Sequence, residues 1–187
     1  ADAPDDIKPV IPVGASDTAS LDAAIELLVR SGKAMPTAKS MLIPEAWQAA
    51  PDLADETRAM YQYMASVMEP WDGPAALAMT DGRWAVAGLD RNALRPLAFS
   101  RTRDGLLVVG SESGMVALDE QDVVEKGRLG PGQMIAIDLE KGQLLRDEEL
   151  KVRIAREAPY GSLTSGFRGI DDLPEARRVV AEESGRK

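Results

Sequence analysis

The first half of the chain carries apolar residues at helical spacing. One stripe recurs at i, i+3, i+4, i+7 and i+8 and predicts an amphipathic helix; its members are Leu21, Ala24, Ile25, Leu28 and Val29. Ser16, Asp17 and Thr18 precede the stripe, and all three are good helix N-cap residues. Gly32 is placed to end the helix. From spacing alone, Asp17 is interpreted as a cap that satisfies free backbone N–H groups.

The next region is expected to be helical as well. Residues 34–50 suggest two short helical pieces, broken by Pro36 and Pro44. Asp52 is then expected to cap a longer helix. The apolar face of that helix is rich in methionine, and we interpret it as core packing rather than a ligand site; it consists of Leu53, Met60, Tyr61, Met64, Val67 and Met68.

From residue 75 the pattern changes to short apolar runs separated by turn residues. Residues 75–80 and 84–89 flank an Asp81-Gly82 pair, which predicts a β-hairpin. Both runs are apolar nearly throughout, so we expect this hairpin to be covered on both faces, in the middle of a buried sheet. Two further strand pairs are predicted, at 97–100 with 106–110 and at 134–138 with 143–145. Residues 111–133 between them are expected to be irregular.

Helices followed by three strand pairs predict an α+β fold, with helices layered on an antiparallel sheet. The chain loses its periodicity from Asp147, and residues 160–168 look like a linker. We therefore predict one domain over residues 1–158, followed by a linker or tail at 159–187 towards a next domain. Three prolines make residues 1–15 an extended segment, and residues 173–187 are expected to form a short helix or a frayed tail.

Composition narrows the possible functions. The 187 residues suit one domain or most of one, and a net charge of -9 without a basic cluster disfavours nucleic-acid binding. No apolar run is long enough to cross a membrane. The chain has no cysteine and no histidine, so thiolate metal sites and Cys/His or Ser/His nucleophile pairs are excluded. The lack of cysteine also fits a reducing cytoplasm. Taken alone, these residues predict no catalytic and no metal-binding residue.

Several short strings carry more specific information. They are Gly-Ala-Ser-Asp-Thr-Ala-Ser-Leu-Asp at 14–22, Pro-Glu-Ala-Trp at 44–47, Met-Glu-Pro-Trp-Asp-Gly-Pro-Ala at 68–75, Leu-Asp-Arg-Asn-Ala-Leu-Arg-Pro at 89–96, Gly-Ser-Glu-Ser-Gly at 110–114 and Lys-Gly-Arg at 126–128. In this order they resemble the large subunit of bacterial glutamate synthase. The string at 69–74 is specific to that family, whereas 90–96 and 111–112 are shared more loosely among class II glutamine amidotransferases.

The resemblance implies the C-terminal part of a glutaminase domain, a partial N-terminal-nucleophile fold with four αββα layers and antiparallel sheets. In that family an N-terminal cysteine attacks the side-chain amide of L-glutamine, and the released ammonia is used for reductive amination of 2-oxoglutarate. FMN and an iron–sulfur cluster are implied for the full-length protein, and no cofactor for this segment. The implied partners are the upstream part of the same domain, the synthase domains and an NADPH-oxidising small subunit.

The resemblance also assigns roles to individual residues. Asp17 matches a position that contacts the α-ammonium group of glutamine, and a carboxylate at a helix N-terminus stays ionised for such a contact. Asp17 could serve as both cap and ligand. Ala93 stands where the family usually carries glycine, and if φ is positive there, alanine adds about 1 kcal/mol of strain. Asp90, Arg91, Asn92 and Arg95 are interpreted as structural, with a buried ion pair as an open alternative for Arg95.

No catalytic residue is expected in this chain, because the family's nucleophile, oxyanion-hole Asn-Gly and carboxylate-binding Arg lie upstream of the matched region. The segment alone is therefore predicted to be inactive. One alternative is a truncated, non-catalytic remnant that binds a ligand or partner. Another is a different class II amidotransferase, such as a phosphoribosyl-pyrophosphate amidotransferase; residues 69–75 and 147–174 argue against it.

Overall fold

A computed structural model of the protein describes residues 8–168. Its helices are α1 Asp17–Arg30, α2 Met35–Leu42, α3 Asp55–Val67, α4 Asp147–Ala155 and α5 Tyr160–Thr164, with a short 3-10 helix at Trp47–Ala49. Its strands are β1 Ala76–Thr80, β2 Trp84–Leu89, β3 Ala98–Thr102, β4 Leu107–Gly110, β5 Val123–Arg128, β6 Met134–Asp138 and β7 Gln143–Arg146. The predictions for residues 1–7 and 173–187 lie outside the described residues.

The strands form two antiparallel sheets. One has the order β1-β2-β6-β7 and the other the order β4-β3-β5. Helices cover one face of the four-stranded sheet, where Trp84, Val86 and Met134 join the main core. Its other face packs on the smaller sheet through a second apolar cluster that includes Leu89 and Phe99. The described residues thus form helix, sheet and sheet layers, which confirms the predicted α+β class with antiparallel sheets.

The predicted helix α1 is present, but its N-cap is Ser16 and not Asp17. The Ser16 side chain caps it by accepting a hydrogen bond from the Ala19 N–H at 3.3 Å. Leu21, Ile25 and Leu28 are buried on its inner face. Just beyond the helix, Gly32 has a φ of +95°, a left-handed conformation that glycine adopts at no steric cost. The predicted apolar stripe therefore fixes which side of α1 faces the core.

The next two helices differ from the prediction at their ends. Pro36 does not break a helix, because it lies in the first turn of α2, where its missing N–H costs nothing. Asp52 does not cap α3, which begins at Asp55 after Ala54, and Ala54 makes no side-chain cap bond. Val67, placed in the core by the prediction, is 55% exposed at the last residue of α3.

The central hairpin is confirmed as β1 and β2, but the expected burial of β1 is wrong. Strand β2 lies inside the sheet, between β1 and β6, and is buried along nearly its whole length. Strand β1 pairs only with β2 within the described residues, so it is an edge strand with exposed and half-buried residues in alternation. An apolar run alone cannot distinguish a covered strand from an edge strand, because coverage is a tertiary property.

Three elements were missed by the sequence analysis. The region 111–133 contains β5, whose residues alternate between half-buried and exposed, and the supposedly aperiodic region after Asp147 contains α4. Residues 160–168, expected to be a linker, include α5, and Tyr160 packs on Tyr63 of α3 with ring centroids 5.3 Å apart. The domain boundary near residue 158 stays a prediction.

Candidate functional site

Asp17 occupies the first position of α1, on the protein surface. Because Ser16 supplies the cap, the interpretation of Asp17 as the N-cap is wrong. Within residues 8–168 the Asp17 carboxylate makes no hydrogen bond or ion pair. It therefore presents an unpaired carboxylate at the positive end of the helix dipole.

A groove of about 330 Å³ runs between α1 and β1, and its lining begins at Thr18, the residue that follows Asp17. Thr18 and Asp22 line one wall, and residues 74–79 line the other. Arg95 also lines the groove; it is exposed, and its Nε donates to the Pro74 carbonyl at 3.2 Å. A buried ion pair for Arg95 is therefore ruled out. The groove offers the Asp22 carboxylate on the helix side and the unpaired edge of strand β1 within the described residues on the other.

The turn after β2 fixes the start of β1. Asp90 is buried, and its two carboxylate oxygens accept hydrogen bonds from the backbone N–H groups of Ala75 at 3.1 Å and Asn92 at 2.9 Å. The Asp90 N–H donates in turn to the Ala75 carbonyl. Arg91 lies on the surface and pairs with Asp72 at 2.9 Å. These contacts confirm a structural role for Asp90, which ties the β2–β3 turn to β1.

Ala93 lies in the same turn with a φ of +48°. It is the one non-glycine residue with positive φ among the described residues. Because φ is positive, the alanine methyl group costs about 1 kcal/mol of strain there relative to glycine.

A buried polar cluster, not predicted from the sequence, is formed by side chains of α2, α4 and Glu45. Lys39 of α2 is fully buried, and its Nζ donates to the Gly132 carbonyl at 2.9 Å. Lys151 of α4 is buried too, and it pairs with Glu45 at 2.9 Å and with Asp147 at 2.5 Å. No sequence signal marks this cluster, because the burial of all eight residues of α2 is visible only in the structure.

Burial shifts the pKa values of this cluster. Burial lowers the pKa of Lys39 to about 8, although the Asp147 carboxylate opposes the shift. Burial raises the pKa of Asp147, with the Lys151 ammonium acting in the opposite direction. The pKa of Tyr61 is raised as well, first by burial and then by the nearby charges of Glu45 and Asp147. Each of these shifts opposes the charged form of the group, as expected for a dry interior.

The described residues form no metal centre, and the sequence has neither cysteine nor histidine. No group of acidic side chains within 8–168 is arranged to hold a metal ion. No helix in this part of the chain is long and apolar enough to cross a membrane. What the arrangement can do is present a carboxylate beside a groove and hold the wall of that groove rigidly.

The chain belongs to the class II glutamine amidotransferases, since the model of that family, glutamine amidotransferases class-II, matches residues 1–163. It is similar to glutamate synthases in particular. The large chain of glutamate synthase [NADPH] from Azospirillum brasilense is 51% identical over 179 residues, which cover 96% of this chain and 12% of that protein. The corresponding large chain from Bacillus subtilis is 44% identical over 172 residues, or 91% of this chain and 11% of that protein.

A ferredoxin-dependent glutamate synthase from Pyropia yezoensis is 44% identical over 167 residues, which cover 88% of this chain and 11% of that protein. The resemblance found in the sequence strings is thereby confirmed. The chain spans only 11% to 12% of the length of these three relatives.

Proposed function

We propose that this chain forms part of the glutaminase domain of a glutamate synthase and supports the hydrolysis of glutamine to glutamate and ammonia. The observation that carries the proposal is the family match over residues 1–163, with relatives that are glutamate synthases. In the whole protein, the ammonia serves the reductive amination of 2-oxoglutarate. We infer that the reaction takes place in the cytoplasm.

In this proposal Asp17 binds the α-ammonium group of glutamine. Its carboxylate is exposed and unpaired within the described residues, so it is available to a cationic ligand. The backbone N–H groups of the first turn of α1 stabilise its negative charge. A charge-assisted hydrogen bond of this kind both orients the substrate and adds affinity.

The remaining catalytic groups come, in this proposal, from the upstream part of the same domain. The chain contains no cysteine or histidine, and in this proposal the upstream part supplies the cysteine nucleophile. The free edge of β1 supports the docking of an upstream strand, since an unpaired edge offers a row of N–H and C=O groups. Ala76 and Ala78 leave the outer face of β1 exposed, with room for a close neighbour.

Neither FMN nor an iron–sulfur cluster fits the residues of this chain. Clusters of this type are held by cysteine thiolates, and the chain has none. Helices α1, α3 and α4 each begin with an aspartate, which repels the phosphate that a helix N-terminus otherwise attracts. We propose that both cofactors, and an NADPH-oxidising small subunit, bind to other parts of the whole protein.

The substitution Asp17→Asn tests the substrate contact. In the full-length protein we expect it to raise KM for glutamine roughly 10- to 100-fold, the loss expected for one charge-assisted hydrogen bond. The matched control is Asp55→Asn, which removes the same charge from the first position of α3, where it is also exposed. Steady-state glutaminase assays over a range of glutamine concentrations measure both.

Equal KM values for Asp17→Asn, Asp55→Asn and the wild type would contradict the assigned role of Asp17. A wild-type protein that forms no glutamate from glutamine would favour a non-catalytic remnant that binds a ligand or partner.

A further inference from the structure

Lys39 is an unusual residue to find in the interior. Lysine is almost never fully buried, yet Lys39 lies between α2 and β2, and its Cε lies only 3.0 Å from where a Cβ on Gly88 would be. Its Nζ donates a buried hydrogen bond to the Gly132 carbonyl. The side chain thus reaches from the helical layer to the loop that connects β5 to β6.

The loop is held firmly on its other side as well. Gly132 has a φ of +70°, and a Cβ at this position would lie 2.4 Å from the Cβ of Glu45, so only glycine fits. The Gly132 N–H donates to the Asp90 carbonyl at 2.8 Å, and the Leu89 N–H donates to the Gln133 carbonyl at 3.0 Å. A displacement of Gly132 therefore moves the backbone of Asp90.

Asp90 connects the loop that contains Gly132 to the groove through its hydrogen bonds with Ala75. It exchanges a backbone bond with the Ala75 carbonyl and a side-chain bond with the Ala75 N–H. Ala75 and its neighbour Pro74 line the groove beside α1. Lys39, Gly132, Asp90 and Ala75 therefore form one continuous chain of hydrogen bonds, called here the Lys39–Asp90 chain, which ends at the groove wall.

We propose that Lys39 and Asp90 are positioning residues that set the distance between this groove wall and the first turn of α1, and so tune glutamine binding. The inference rests on the function proposed above, in which Asp17 in that turn binds the substrate. Neither residue touches glutamine; both act through the backbone of residues 74–75.

The choice of lysine supports a positioning role. A buried ammonium group loses its hydration, and well-packed apolar side chains of similar volume are often as good or better for stability. Methionine at position 39 fills a similar space without that cost. What the lysine contributes and methionine cannot is the bond from its Nζ to the Gly132 carbonyl, which fixes the loop.

The test uses the full-length protein with Lys39→Met, and with Lys141→Met as the matched control, because Lys141 is exposed on the β6–β7 turn. We expect Lys39→Met to raise KM for glutamine roughly three- to tenfold, as for the loss of one buried hydrogen bond, with a smaller change in kcat. Hydrogen exchange measured by mass spectrometry should become faster in the peptides that contain residues 74–78 and 130–133. Lys141→Met should change neither quantity.

The substitution Asp90→Asn tests the Lys39–Asp90 chain of hydrogen bonds independently of Lys39. The amide retains one acceptor oxygen and replaces the other with a donor, so one of the bonds to Ala75 and Asn92 is lost. It should raise KM in the same direction, and combined with Lys39→Met it should have less than the sum of the two effects.

An unchanged KM in both variants would overturn the positioning role while leaving the glutaminase function intact. If hydrogen exchange at residues 74–78 is unchanged in Lys39→Met, Lys39 does not restrain the groove wall through the Lys39–Asp90 chain. A wild-type protein without glutaminase activity would overturn the proposed function, and with it the effect on KM; the exchange measurement would still decide whether Lys39 restrains the groove wall.

Discussion

The ammonium group of Lys39 lies in a dry interior, and its pKa of about 8 is below its usual value of 10.5. Between these two pH values the unfolded chain binds more protons at this site than the folded chain does. The free energy of unfolding should therefore rise with pH above about 8, by at most about 1.4 kcal/mol per pH unit. The charged groups that face Lys39 are Asp147, Lys151, Glu45 and Asp90.

This pH dependence can be measured by urea denaturation at pH 7.5 to 9.5 of the proposed glutaminase domain, in which this chain is combined with the proposed upstream part. The raised pKa of Tyr61 makes stability fall only at higher pH, outside that window. Lys39→Met should flatten the curve, and Lys141→Met should not. If the free energy of unfolding changes with pH equally in the wild type and in Lys39→Met, the pH dependence does not come from Lys39.

The backbone conformation of Ala93 is strained, which lowers the stability of the folded domain. Because its φ is +48°, Ala93→Gly should stabilise the domain by about 1 kcal/mol. The matched control is Ala65→Gly on the exposed face of α3, which should destabilise it by about 1 kcal/mol. Urea midpoints measure both, and a loss of stability in both variants would contradict strain at Ala93.

At this scale the sequence predicted some site features and missed others. Its position before the first apolar stripe and the family resemblance predicted a role for Asp17. The departure from the family glycine predicted strain at Ala93. The burial of Lys39 could not be predicted, because a single lysine in a short helix is normally exposed. Only the packing of α2 against β2 and the loop at 130–133 shows that its head group has a buried acceptor.

Among the elements, the β-hairpin was predictable because Asp81-Gly82 defines its turn locally. Strand β5 was not, since its alternating charged residues and Gly127 resemble a loop. The structure gives the reason for this glycine: the Phe99 ring from the neighbouring strand lies over it. Helix α4 was overlooked because the charged residues of its first turn mask the short apolar face formed by Leu150 and Ile154.

The packing of Phe99 on Gly127 predicts a clear mutational effect. A Cβ at Gly127 would lie 2.5 Å from the ring, so Gly127→Ala should force the ring aside and destabilise the domain by about 1–3 kcal/mol. Gly161→Ala is the control, because a Cβ there meets open space in α5 and should be neutral or stabilising. Urea denaturation distinguishes the two, and equal midpoints would contradict the close contact between β3 and β5.

For the whole molecule, the sequence predicted the α+β class and the antiparallel pairing, because turns and strand pairs are local features. The exposure of β1 could not be predicted in this way. It depends on what lies beside the sheet, and within residues 8–168 nothing pairs with the outer edge of β1. The free edge, the unpaired Asp17 and the absence of cysteine and histidine all fit a chain that works together with further residues.

The most direct test of this account is glutaminase activity, measured as glutamate released from glutamine. The assay compares this chain alone, a separately produced upstream segment that begins with cysteine, and their mixture. We predict no activity from either part and measurable activity from the mixture, lowered at subsaturating glutamine when the chain carries Asp17→Asn. Activity from this chain alone would contradict the account, because its residues include neither cysteine nor histidine.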